Sequence, residues 1–220
     1  MSKRKAIDEL IEVMARLRAP EGCPWDQEQS HMSIRLNAVE EVYELVDAIE
    51  SDDDDEMLEE LGDILLQVVF HAQMAKERKA FDFDDIARVI TEKLIRRHPH
   101  VFEGVNVEGV AEVWNQWDAI KKKEKEGTVH ERKSVFDGIP RHLPALMQAN
   151  ELIKKARKND LLAQVKGART KADLGAELFD LVQNAQSSGW QAEELLREEV
   201  KKQENILRNI EKARQGDCHT

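Results

Sequence analysis

Apolar residues recur at three- and four-residue spacing along almost the whole chain, and no convincing run alternates apolar with polar residues. That periodicity predicts an all-α protein in which each helix buries one stripe. The spacing predicts helices over about 3–18, 31–50, 55–78, 83–97, 107–126, 141–158, 171–187 and 190–214. The breaks between them carry turn chemistry. "APEGCPWD" (19–26) holds two prolines and a glycine, and "SDDDD" (51–55) offers side-chain oxygens to cap the helix that follows. "FDFDD" (81–85) can cap the helix of Ile86, Val89, Ile90 and Leu94, and Pro99 ends that helix by disfavouring the α conformation of its predecessor.

With 220 residues, of which 41% are hydrophobic and 35% charged, the chain can bury a sizeable core and stay in water. Its formal net charge of −11 argues against a partner that is a nucleic-acid polymer, while leaving room for a local basic patch that binds phosphates. Cys23 and Cys218 are far apart and show no CxxC spacing, so neither a zinc site nor a disulfide framework is expected. The first seventeen residues alternate charge with apolar residues and lack the apolar core of a signal peptide. No stretch approaches the roughly 18 apolar residues of a membrane span. A cytoplasmic protein without a membrane partner is the expectation.

The two halves share a pattern. "ELGDILLQVVFHAQ" (60–73) lies on "DLGAELFDLVQNAQ" (173–186) at a constant offset, matching Leu61 with Leu174, Gly62 with Gly175, Leu65 with Leu178, Val69 with Val182, Ala72 with Ala185 and Gln73 with Gln186. Duplication explains the shared Leu-Gly and Ala-Gln pairs better than coincidence between two amphipathic helices. The second copy lacks the polar chemistry of the first, since Asp63 is replaced by Ala176. The expected organisation is a first module over 1–126, a linker over 127–139 rich in turn residues, and a shortened, degenerate module over 140–220.

Residues 39–67 place thirteen carboxylates among twenty-nine residues and interleave them with an apolar face. Glu41 and Glu44 lie at i, i+3 on one predicted helix, as do Glu60 and Asp63 on the next, so each pair shares one helix face. Folded as an antiparallel hairpin about the acidic turn, the two pairs can converge. Four carboxylates in a partly buried groove repel one another and resist desolvation, and a cation is the usual remedy. Oxygen-only ligands favour Mg²⁺ or Mn²⁺. A di-iron bundle would need two Glu-x-x-His elements, and only Glu28 to His31 occurs. Gly62, inside the second pair, costs a helix about 1 kcal/mol relative to alanine, which close helix approach or access to the site would explain. His71, after an apolar run, reads as a packed core histidine.

"EEVYE" (40–44) followed by "ELGD" (60–63) resembles the EExxE…ExxD signature of the MazG-type nucleoside triphosphate pyrophosphohydrolases. "GCPWDQEQSH" (22–31), "EKLIRRHPHVFEG" (92–104), "EVWNQWDAIKKKE" (112–124) and "DGIPRHLPALMQA" (137–149) are similar to that family as well, in order over about residues 5–158 and more faintly beyond. The resemblance implies a tandem MazG protein with a degenerate second module, built from two helical bundles and assembling as a homodimer. It implies Mg²⁺-dependent cleavage of nucleoside triphosphates between the α- and β-phosphates. Glu41, Glu44, Glu60 and Asp63 would be the metal ligands, and Glu40, Glu41 and Lys93 the catalytic residues. Lys93, Arg96 and Arg97 would hold the triphosphate, although basic residues also suit a helix C-terminus. Trp25 and Trp114 would stack on the base, although either could equally serve as core. A catalytically inactive module that binds nucleotide or a protein partner is the alternative. The intact four-carboxylate set weighs against it, since the second half shows what a decayed copy looks like.

Overall fold

The computed structural model describes residues 5–129, 131–163 and 170–217; Cys218 lies outside the described residues. Among them the chain forms ten helices and no strand. They are α1 (Ala6–Leu17), α2 (Pro24–Glu28), α3 (Asn37–Ser51), α4 (Asp54–Glu77), α5 (Phe83–Arg97), α6 (Pro99–Phe102), α7 (Val110–Lys125), α8 (Ala145–Lys158), α9 (Lys171–Ser187) and α10 (Ala192–Asp217). The all-α expectation holds. α2 and α6 are single-turn additions, each opened by a proline whose missing N–H is harmless at a first turn.

Residues 31–36, expected as the first turns of α3, form turns instead. The cause is local competition for backbone groups. Ser33 N donates to Ser30 Oγ at 3.1 Å, Ser30 N to Ser33 Oγ at 2.9 Å, and Ser33 Oγ to Gln29 Oε1 at 2.8 Å. Such short-range side-chain bonds offer the backbone an alternative to the helix ladder.

The chain divides into two compact units, Met1–Trp117 and Asp118–Thr220, with the division inside α7. In the first, α3 and α4 form a hairpin across the acidic turn. Asp53 caps α4 by accepting from Asp55 N at 3.0 Å and Glu56 N at 3.1 Å, while Asp52 takes the left-handed conformation that closes α3. The remaining aspartates of the turn lie exposed in the first turn of α4, at its positive end. Asp82 and Asp85 form a reciprocal capping box at the start of α5. The unit's core is Met14 on α1, Ile34, and Val69, Phe70 and Met74 on α4. Arg18 locks the α1 end to α4 through Glu77, at 2.7 and 2.8 Å.

The second unit centres on α8 and α10. Its core joins Leu152 and Ala156 of α8 to Val200 and Leu207 of α10, around Phe136, which is 1% exposed. Phe136 belongs to the 127–139 segment that sequence reading treats as a linker. Here its turn residues fold residues 132–139 onto the helices. Asp137 accepts from Lys133 N, Ser134 N and Arg208 Nη1, each at 2.9 Å, and buried Glu211 accepts from Ser134 Oγ at 2.6 Å and Val135 N at 2.9 Å. Gly138 adopts φ +84°, and a Cβ there would strike the Arg132 guanidinium. α9 behaves otherwise than α4, the helix it matches in sequence. Val69 is buried but Val182 is half exposed, and of α9 only Ala185 is buried.

Two substitutions test this account by urea unfolding. Phe136→Ala should cost about 3–5 kcal/mol, the usual range for emptying an aromatic core site. Asp53→Ala should cost about 1 kcal/mol through the lost cap, whereas Asp54→Ala, which caps nothing, should stay within about 0.5 kcal/mol.

Candidate metal centre

Helical geometry places the acidic side chains. Glu60 and Asp63 are one turn apart on α4, and the hairpin brings Glu41 of α3 against them. Glu41, Glu60 and Asp63, all half-buried, each offer an oxygen within 4.8 Å of the other two. Glu44 lies outside that trio, and its negative charge is among the lesser causes that raise the Glu41 carboxyl. Glu40 is exposed. Gly62 sits in open space, with nothing among the described residues within 4 Å of where a Cβ would lie, so no close helix approach among them accounts for it.

The electrostatics are those of an anion cluster short of positive charge. Burial pushes the Glu41 carboxyl above the ordinary range, a hydrogen bond from Gln67 opposes this, and Asp63 and Glu44 add to it. Glu60 is raised in the same way, by burial first and then by Asp63 and Glu41. Its Oε2 is shielded from water and has no hydrogen-bond partner. A buried, unpartnered carboxylate oxygen is costly. Together with two further carboxylates in reach, it fits a hard divalent cation.

Down the same face of α4 runs a column of polar side chains, of which sequence reasoning passed over Gln67 and took His71 for core. Gln67, one turn beyond Asp63, donates from Nε2 to Glu41 Oε1 at 3.3 Å. One turn further, His71 Nδ1 meets His31 Nδ1 at 2.7 Å, with the two ring planes parallel and their centroids 5.0 Å apart. That separation is the N···N distance plus two ring radii, so the imidazoles meet edge to edge through one shared proton. His71 is thus half-buried and paired rather than packed in the core; burial and then His31 lower its pKa. The signal was present in "ILLQVVFHA", where two polar residues interrupt an apolar run at four-residue spacing.

The expected phosphate ligands Lys93, Arg96 and Arg97 occupy the last two turns of α5. Arg97 lies over the ring of Trp117 at 5.9 Å, and Trp117 stands 5.4 Å from Trp114, an aromatic pair that its i, i+3 spacing on α7 could have signalled. Trp114 is 55% exposed. Trp25 is 56% exposed and meets Phe70 edge-on at 6.5 Å. Neither tryptophan is core.

The raised carboxyls have a consequence for stability. Between the ordinary carboxylate range and their raised values, the folded chain holds more protons than the unfolded one, so stability falls as pH rises through that window and stays lower at neutral pH. In the presence of a chelator, Glu60→Gln should therefore melt at a higher temperature than the wild type at pH 7. The difference should shrink as pH falls through the raised and then the ordinary carboxylate range, because the Glu60 carboxyl takes up its proton in both folded and unfolded chains. A lower melting temperature at pH 7 would overturn the repulsion argument.

Comparison with known proteins agrees with this geometry. The MazG nucleotide pyrophosphohydrolase domain matches residues 29–102, which include all three clustered carboxylates. A nucleoside triphosphate pyrophosphohydrolase of Escherichia coli (strain K12) is 39% identical over a 231-residue alignment, spanning 94% of this chain and 87% of that protein. The nucleoside triphosphate pyrophosphohydrolase/pyrophosphatase MazG of Thermotoga maritima is 46% identical over 149 residues, covering 68% of this chain and 56% of that one. A nucleoside triphosphate pyrophosphohydrolase of Mycobacterium tuberculosis is 38% identical over 174 residues, covering 76% and 51%. Identity at this level over nearly the full length of the Escherichia coli protein, with the domain match on the acidic hairpin, places the chain in the MazG nucleotide pyrophosphohydrolase family.

Proposed function

We propose that this protein hydrolyses nucleoside triphosphates between the α- and β-phosphates, releasing nucleoside monophosphate and pyrophosphate. The observation that carries the reading is the convergence of Glu41, Glu60 and Asp63 around a buried oxygen with no partner, in a chain whose relatives are named for that activity.

Glu41, Glu60 and Asp63, with Glu44 beside them, would hold Mg²⁺ or Mn²⁺. When bound, the cation neutralises phosphate oxygens and makes water a better nucleophile near neutral pH. Water adds to the α-phosphorus, the bond from that phosphorus to the α,β-bridging oxygen breaks, and pyrophosphate leaves. Glu40 orients the water from the solvent side of α3. Lys93, Arg96 and Arg97 hold the triphosphate: lysine as a point charge, arginine through paired N–H donors. Trp114 and Trp25 present exposed faces on which a base stacks, a contact that tolerates different bases.

The functional form is a homodimer acting in the cytoplasm. Leu58, Leu61 and Leu65 of α4 are exposed around Gly62, as are Val42, Tyr43, Val46 and Ile49 of α3. A second copy covering these faces would bury them and give Gly62 the close neighbour it lacks among the described residues. No helix among the described residues is long and apolar enough to cross a membrane.

Product analysis tests the reaction. Wild-type protein with mixed nucleoside triphosphates and Mg²⁺ should yield monophosphate and pyrophosphate. Glu41→Gln should lose at least about 100-fold in kcat/KM, equivalent to about 2.7 kcal/mol of transition-state stabilisation. Diphosphate and orthophosphate as products would overturn the cleavage site.

A further inference from the structure

Gln67 is 9% exposed and sits on α4 among core residues, between Leu66 and the buried pair Val69 and Phe70. Burying an amide costs free energy unless both of its ends are bonded. Only one end is bonded here. Nε2 donates to Glu41 Oε1, while the carbonyl Oε1 is buried without a partner. A methionine or leucine would fill nearly the same space without an orphaned acceptor, so packing does not explain the amide. Its one hydrogen bond does.

Geometry makes that bond directional. Gln67 lies one turn beyond Asp63 and about two turns beyond Glu60, so all three side chains share one face of α4. Glu41 reaches this face from α3. A donor fixed on α4 that holds one oxygen of Glu41 restricts the carboxylate's rotation and leaves its other oxygen free. Without the bond, Glu41 is opposed by two like charges across the groove and is free to swing toward water.

We propose that Gln67 is a positioning residue for the cation site: its amide N–H anchors Glu41 across the hairpin so that the carboxylate stays turned toward Glu60 and Asp63. This rests on reading Glu41, Glu60 and Asp63 as a cation site. Loss of a partner that orients a metal ligand costs about 10- to 100-fold in metal affinity.

The test is a titration of the purified full chain with Mn²⁺, read by electron paramagnetic resonance without substrate, beside thermal melting in a chelator. Wild type, Glu41→Gln, Gln67→Met and Gln67→Leu are compared. Both Gln67 variants should bind Mn²⁺ about 10- to 100-fold more weakly while melting at or above the wild-type temperature. Glu41→Gln should show the larger loss. Wild-type affinity in either Gln67 variant, with Glu41→Gln impaired, would overturn the positioning role and leave the cation site standing. A loss of affinity tracking a lowered melting temperature in both variants would make Gln67 a structural residue and also overturn the proposal. Absence of Mn²⁺ binding by the wild type would overturn the cation site itself.

Discussion

Repulsion among carboxylates at the α3–α4 hairpin is the constraint on which the first unit depends. Glu41, Glu60 and Asp63 stand within 4.8 Å of one another, and burial with mutual repulsion raises the carboxyls of Glu41 and Glu60. Such a group opens unless something else holds the helices. The restraint lies further along α4, where Val69, Phe70 and Met74 pack against Met14 and Ile34 and where Arg18 clamps Glu77. Apolar burial at one end of the helix thus offsets charge crowding at the other. Asp53 adds a local contribution by capping α4 where the chain reverses.

The polar column on α4 links these two ends. Asp63, Gln67 and His71 follow one another at four-residue spacing between the acidic hairpin and the core. Each meets a residue from outside α4: Asp63 and Gln67 meet Glu41, and His71 meets His31. A polar stripe of this kind opposes sliding, because a shift in register would part Gln67 from Glu41 and His71 from His31. The carboxylate geometry is therefore tied to the packing of the whole hairpin.

The second unit obeys the same physics with different parts. Its core rests on Phe136 from an irregular segment, held by Glu211, Arg208 and Lys155 through hydrogen bonds to its backbone and to Asp137. α9 repeats the pattern of α4 in sequence yet leaves Leu178, Phe179, Leu181 and Val182 exposed. Turn residues at 127–139 look like a linker because glycine, serine and charge favour irregular backbone, but irregular backbone can be buried when side chains satisfy it.

The sequence by itself determined the helical class, most helix positions, both aspartate caps and the acidic hairpin. These depend on periodicity and on side chains bonding within a few residues of themselves, which are short-range properties. The EExxE…ExxD spacing also marked Glu41, Glu60 and Asp63 in advance. Only the tertiary structure decided that these three cluster while Glu44 stands beside them, that Gln67 reaches Glu41, that His31 pairs with His71, and that Phe136 is core. Each of those is a meeting between segments 19 to 77 residues apart, or a burial set by such meetings. Helix register and rotamer choice settle them, and neither is written in the local pattern.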